Sequence, residues 1–120
     1  MASLNKVLII GRVGRDPEQR YTQGGKAMTS FSVAVSRKFG DKDETEWFNV
    51  VCWDKLAEQM NTMITKGRLV YVEGRLQTRQ WDDQGGQKHS RTEVVAGVVT
   101  MLDKAPINAA TTPDEEEISF

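Results

Sequence analysis

The side chains with the most chemistry to offer in this sequence are three tryptophans and the arginines near them. In an extended chain alternate side chains share a face, so TEWFNVVCW (45–53) places Trp47, Asn49, Val51 and Trp53 together. The same period in RLVYVEGRLQTRQW (68–81) puts Tyr71, Glu73, Arg75, Gln77, Arg79 and Trp81 on one side, with Val70, Val72 and Leu76 turned inward. Rings on such a face can stack unpaired bases, at roughly 1–3 kcal/mol per base, while cationic side chains follow the phosphates. Phe39, in the loop between the second and third strands, adds a fourth ring. The competing reading is that these rings fill a core. Each strand, however, has a better core face in Phe48, Val50 and Cys52 or in Val70, Val72 and Leu76, and Trp81 sits among Gln80, Asp82 and Asp83 near a hairpin tip. The cations available to the ring-bearing face are Lys6, Arg20, Lys38, Lys55, Lys66, Arg75 and Arg79; singly each is an ordinary surface charge, and their value lies in clustering.

Catalytic constellations are hard to assemble, and no catalytic residue is expected. GRVG (11–14) is neither the dinucleotide fingerprint nor a phosphate loop. His89 and Ser90 are adjacent, so a strand points them to opposite faces and spoils them as base and nucleophile. Cys52 reads as a small core residue, and Asp82-Asp83 as turn chemistry. One His and one Cys cannot supply the ligands of a structural zinc site, and no metal or cofactor is expected.

The elements that must position the rings are mostly strands. Residues 5–13 are a continuous apolar run, EQRYT (18–22) continues it after the Asp16-Pro17 turn, and Gly24-Gly25 marks a hairpin turn. MTSFSVAVSRK (28–38) alternates Phe31, Val33 and Val35 against Ser30, Ser32, Ala34 and Ser36. One helix is predicted: Asp54 caps it, Leu56, Met60, Met63 and Ile64 form its stripe, Lys66 sits in its last turn and Gly67 stops it. Residues 68–81 and 88–102 then make a long hairpin around DDQGGQ. The order β-β-β-α-β-β predicts an all-β, five-stranded Greek-key barrel of the oligonucleotide-binding type, with one short helix between strands three and four and a long strand four–five hairpin.

The chain has 120 residues and net charge −1, which suits one domain. Four of its 17 acids, Asp114, Glu115, Glu116 and Glu117, fall in the last seven residues, which leaves the preceding 113 residues at +3. KAPINAATTP (104–113) has linker composition, with a reach of about 17 Å if flexible. We therefore expect a domain over 1–103 and a short flexible linker with an acidic tail over 104–120. Ile118 and Phe120 at the end of that tail, flanking Ser119, gain nothing for solubility and suit a docking peptide with acids on a basic rim. No run of about 20 apolar residues is present, and MASLNKVLIIGR lacks a basic n-region and cleavage site, so a cytoplasmic protein without membrane association is expected.

NKVLIIGRVGRDPEQRYT, SFSVAVSRKF, TEWFNVVCWDKLAE, KGRLVYVEGRLQTRQWDDQGGQ and TEVVAG, in this order, resemble the bacterial single-stranded-DNA-binding proteins of replication and repair, over residues 5–103 and again in the acidic tail. The resemblance implies a homotetramer of oligonucleotide-binding folds in the bacterial cytoplasm and nucleoid. It would wrap single-stranded DNA in replication, recombination and repair, without sequence preference or catalysis, and recruit replication and repair proteins through its tail. It maps base stacking onto Phe39, Trp47, Trp53 and Trp81, phosphate contacts onto Lys38, Lys55, Lys66, Arg75 and Arg79, and the partner tail onto residues 114–120, with Lys6 and Arg20 as further phosphate candidates. The rival readings are an RNA-binding barrel using the same stacking, and an interaction scaffold that binds no nucleic acid.

Overall fold

The apolar run near the amino terminus folds as strand β1 (Val7–Val13). There follow β2 (Glu18–Tyr21), β3 (Ala27–Phe39), β4 (Lys42–Trp53), helix α1 (Asp54–Met63), β5 (Leu69–Asp82) and β6 (Lys88–Met101) in the computed structural model, which describes residues 2–103. The linker and tail expected at 104–120 lie outside the described residues. β1 pairs with β5, β5 with β6, β6 in parallel with β4, β4 with β3, and β3 returns to β1. These pairings close five strands into the expected barrel. β2 extends β1 along the same edge of β3, with Val13 opposite Val33 and Glu18 opposite Ser30. Closure brings β1 so near β3 that a Cβ at position 11 would run into the Ala34 carbonyl, which only glycine avoids.

Val33, Val50, Cys52, Val70, Val72 and Val94 are sealed in the barrel, and Ala57, Met60 and Ile64 close it at the helix end. Burying each large aliphatic chain contributes about 1.5–3 kcal/mol. The buried Thr29 hydroxyl donates to the Ala57 carbonyl at 2.6 Å and ties β3 to α1.

The helix differs from its sequence pattern at both ends. Trp53 is the N-cap and no side chain caps it; Asp54 instead takes φ 57°, a left-handed turn from strand into helix that a short Asp tolerates better than most residues. The helix stops at Met63, before Lys66 and Gly67, because Ile64 leaves helical geometry to enter the core. That burial outweighs the gain of another helical turn, and Met63 is left exposed.

Leu76 departs from its inward assignment for a different reason. It faces the same way as its partner Val94, but the barrel ends there and Leu76 is exposed. The Asn5 amide substitutes for a neighbouring strand, donating to the Leu76 carbonyl and accepting from its N–H, each at 2.9 Å. In β6 a bulge between the pairs Gly74–Ala96 and Glu73–Val98 leaves Gly97 unmatched, so Val98 turns outward while Val99 and Met101 pack on the core.

The end of β6 is clamped. The buried Arg68 donates to the Asp103 carboxylate at 2.9 Å, and the Leu69 N–H donates to its second oxygen at 3.1 Å. Burial alone would raise the Asp103 carboxyl, but the Arg68 hydrogen bond, the Leu69 N–H and the Arg68 charge outweigh it and hold the group below the usual carboxylate value. A lowered native value means that the clamp stabilises fully above the unfolded-state value of about 3.9, and that this is lost as pH falls through the native value. Asp103→Asn is expected to cost about 1–2 kcal/mol at pH 7 and to flatten the acid limb of the stability curve. Urea unfolding at pH 7 and pH 3 measures both, and equal stability at pH 7 would contradict the clamp.

Candidate nucleic-acid interface

Trp47 and Trp53 leave the outer face of β4 because Val50 and Cys52 occupy its inner face. Trp47 is 59% exposed and Trp53 36%. Between them lie Asn49 and Val51, and the facing residues of β3 are Met28, Ser30, Ser32 and Ala34. Mostly small neighbours leave a trough beside the rings. Trp47 lies over Gly14, where a Cβ would overlap its six-membered ring. Gly14 is fixed in turn by its N–H donating to the Ser32 carbonyl at 3.0 Å. Arg20 of β2 pairs with Met28, which pairs with Trp53, so this cation stands in the same cross-strand row as a ring.

The β5–β6 hairpin supplies the third tryptophan. Arg75, Gln77, Arg79 and Trp81 alternate outward, opposite Val95, Glu93, Arg91 and His89. Trp81 is 45% exposed and stacks on His89, with centroids 5.6 Å apart and planes at 20°. His89 Nε2 lies 2.8 Å from Asp83. That bond first, and the Gln87 N–H next, hold the Asp83 carboxyl below its ordinary value. The Arg79 guanidinium lies 6.0 Å from the Trp81 ring centre; it also donates to Glu93 at 3.2 Å, with its Nε 3.1 Å from the other carboxylate oxygen.

The other sequence candidates divide. Lys38, Lys55 and Lys66 are exposed, and the Lys66 N–H donates to Asp16 at 2.9 Å. Arg75 donates to Gln77 at 3.0 Å. Phe39 is exposed but ends β3 instead of lying in a loop, because the β3–β4 turn is only Gly40-Asp41. Its strand parity sets it with Arg37 and Lys42, on the opposite face from Trp47, and the Arg37 guanidinium lies 5.8 Å from its ring centre. Lys6, just ahead of β1, pairs at 3.4 Å with Glu73 of β5, the residue opposite Leu8, and is not among the tryptophans. The sequence reading missed Arg15, Arg91 and Glu93: hairpin register brings the last two beside Arg79, and barrel closure brings Arg15 to the same recess, neither of which local pattern reveals. Burial pushes the Cys52 thiol up to about 12, which keeps it protonated and unreactive. No helix among the described residues is long and apolar enough to cross a membrane.

Residues 4–102 match the model of the single-strand binding protein family. The chain belongs to that family. Its relatives include the single-stranded DNA-binding protein of Thermotoga maritima, 41% identical over 97% of this chain and 86% of that protein. Another is single-stranded DNA-binding protein 1 of Chlorobaculum tepidum, 46% identical over 82% of this chain and 65% of that protein. Among solved structures, a Plasmodium falciparum SSB in complex with ssDNA is 34% identical and superposes with a TM-score of 0.77, covering 86% of this chain and 98% of that one. In this family member the described strands carry all three tryptophans outward.

Proposed function

We propose that this chain binds single-stranded DNA without sequence preference, as a homotetramer and without catalysis, and protects strands unwound in replication, recombination and repair in the bacterial cytoplasm and nucleoid. The observation that carries this reading is that Trp47, Trp53 and Trp81 stand outside a barrel whose core is already full, with arginines in the rows beside them. Every base has a π face, so such rings bind any sequence, and the arginines gain further from displaced counterions. The DNA-bound state of the similar Plasmodium falciparum SSB supports DNA as the ligand. The homotetramer is supported by Leu8, Ile10 and Val98, exposed on β1 and β6 around Tyr71 and Glu73. Isolated exposed apolar residues are common, but a contiguous set of them marks a contact surface. The tail, Asp114 to Phe120, is the segment we assign to recruiting replication and repair proteins.

Titration with thymidine oligomers at low salt tests the reading. Tryptophan fluorescence is expected to be quenched, and affinity to fall with salt by about 0.7 log units per log unit of salt for each phosphate neutralised. Absence of quenching would overturn it, and matched RNA oligomers binding more tightly would redirect it to RNA. A chain ending at residue 113 is expected to bind the same oligomers equally or slightly more tightly, because an anionic segment has been removed.

A further inference from the structure

The outer faces of β3 and β4 open into a recess of about 100 Å³ beside the base of the β5–β6 hairpin, with Ser30 and Asn49 in its lining. Arg15, Arg20, Arg79 and Arg91 also line it, against the carboxylates of Glu18 and Glu93. The groups differ in what they show to solvent. Glu93 is 6% exposed, whereas the Arg79 and Arg91 side chains remain about half open, at 52% and 44%. A carboxylate buried in this way is offset by the guanidinium groups it holds, and it fixes where they stand. It accepts one hydrogen bond from Arg79 at 3.2 Å, lies 3.1 Å from the Arg79 Nε through its other oxygen, and lies 3.9 Å from Arg91. Each guanidinium has five N–H donors, so both keep donors for an anion. A lining of guanidinium groups suits one phosphate group better than a base. Arg20 stands in the cross-strand row of Trp53, so a strand with a base on that ring would carry its backbone past the recess.

We propose that this recess seats one phosphodiester group of bound single-stranded DNA, with Arg15, Arg20, Arg79 and Arg91 as its wall and Glu93 as the positioning residue beneath. The proposal rests on the DNA reading above and adds Arg15, Arg91 and Glu93 to it. One seat neutralises one phosphate. The double variant Arg15→Gln/Arg91→Gln should therefore lose about 0.7 from the salt slope of thymidine-oligomer binding, while Lys26→Gln, which removes one charge in the β2–β3 turn outside the recess, should leave the slope unchanged. Inorganic phosphate at matched ionic strength should compete with the oligomer on the unmodified chain and not on the double variant. Glu93→Gln removes a negative charge, which by charge alone would tighten binding; as the positioning residue its loss should weaken binding threefold or more, with folding checked by thermal melting.

An unchanged slope in the double variant, or equal competition by phosphate in both chains, would overturn the seat. So would a loss near 1.4, which marks two separate phosphates. Tighter binding by a folded Glu93→Gln chain would overturn the role of Glu93. An unmodified chain that fails to bind thymidine oligomers removes the DNA reading and the seat together, whereas normal binding with an unchanged slope removes the seat alone.

Discussion

Trp47→Ala is expected to weaken thymidine-oligomer binding by roughly five- to 150-fold, the 1–3 kcal/mol of one lost stack. The effect should be large because Trp47 is 59% exposed and contributes little to the core, so its removal reads out in binding with little loss of stability. Gly14→Ala provides a second route to the same result. The added methyl would displace the ring from its seat without touching any charge, and should reduce fluorescence quenching while leaving the salt slope intact. Phe39→Ala should cost less than either, since Phe39 lies on the opposite face of the β3–β4 ribbon. Equilibrium titration of the three variants at one salt concentration decides the order. Unmodified affinity in Trp47→Ala would remove the assignment of this face.

Ile10→Glu is expected to reduce the mass in solution from that of the proposed tetramer to that of smaller species. Ile10 is 56% exposed, and Leu8, one pleat away, is equally open. Register places Leu8, Glu73 and Val98 in one row across β1, β5 and β6, and Ile10, Tyr71 and Thr100 in the next. Tyr71 and Glu73 in these rows are already engaged with each other. Tyr71 donates to Glu73 at 2.7 Å, and that bond first, then the Lys6 charge, keeps the Glu73 carboxyl low. A new carboxylate at position 10 has no such partner and would be desolvated on association at a cost of several kcal/mol. The protomer should remain folded, since Ile10 points away from the barrel. Light scattering gives the mass and circular dichroism the fold; an unchanged mass would show that this face is not where protomers meet.

Period-two alternation was enough to identify the strands and to show that Trp47, Trp53 and Trp81 had no need of the core, because each strand had an aliphatic face to bury instead. It also marked the hairpin as longer than the barrel. Alternation gives direction relative to a strand, however, and says nothing about where the barrel ends or which strands meet. Leu76 therefore looked buried and lies past the last core layer, and Phe39 looked like a loop residue and closes a strand. Local pattern likewise extended the helix to Gly67, whereas burial of Ile64 ended it earlier.

The sequence by itself determined the strand order, the single helix and the ring-bearing faces, because these follow from side-chain period and turn residues acting over short stretches of chain. Barrel closure and register decided the rest. They set Lys6 on Glu73, placed Arg20 in the row of Trp53, and brought Arg15, Arg79 and Arg91 around a buried Glu93. Contacts of this kind join residues far apart in the chain, and their energies depend on distances that exist only once the five strands have closed on one another.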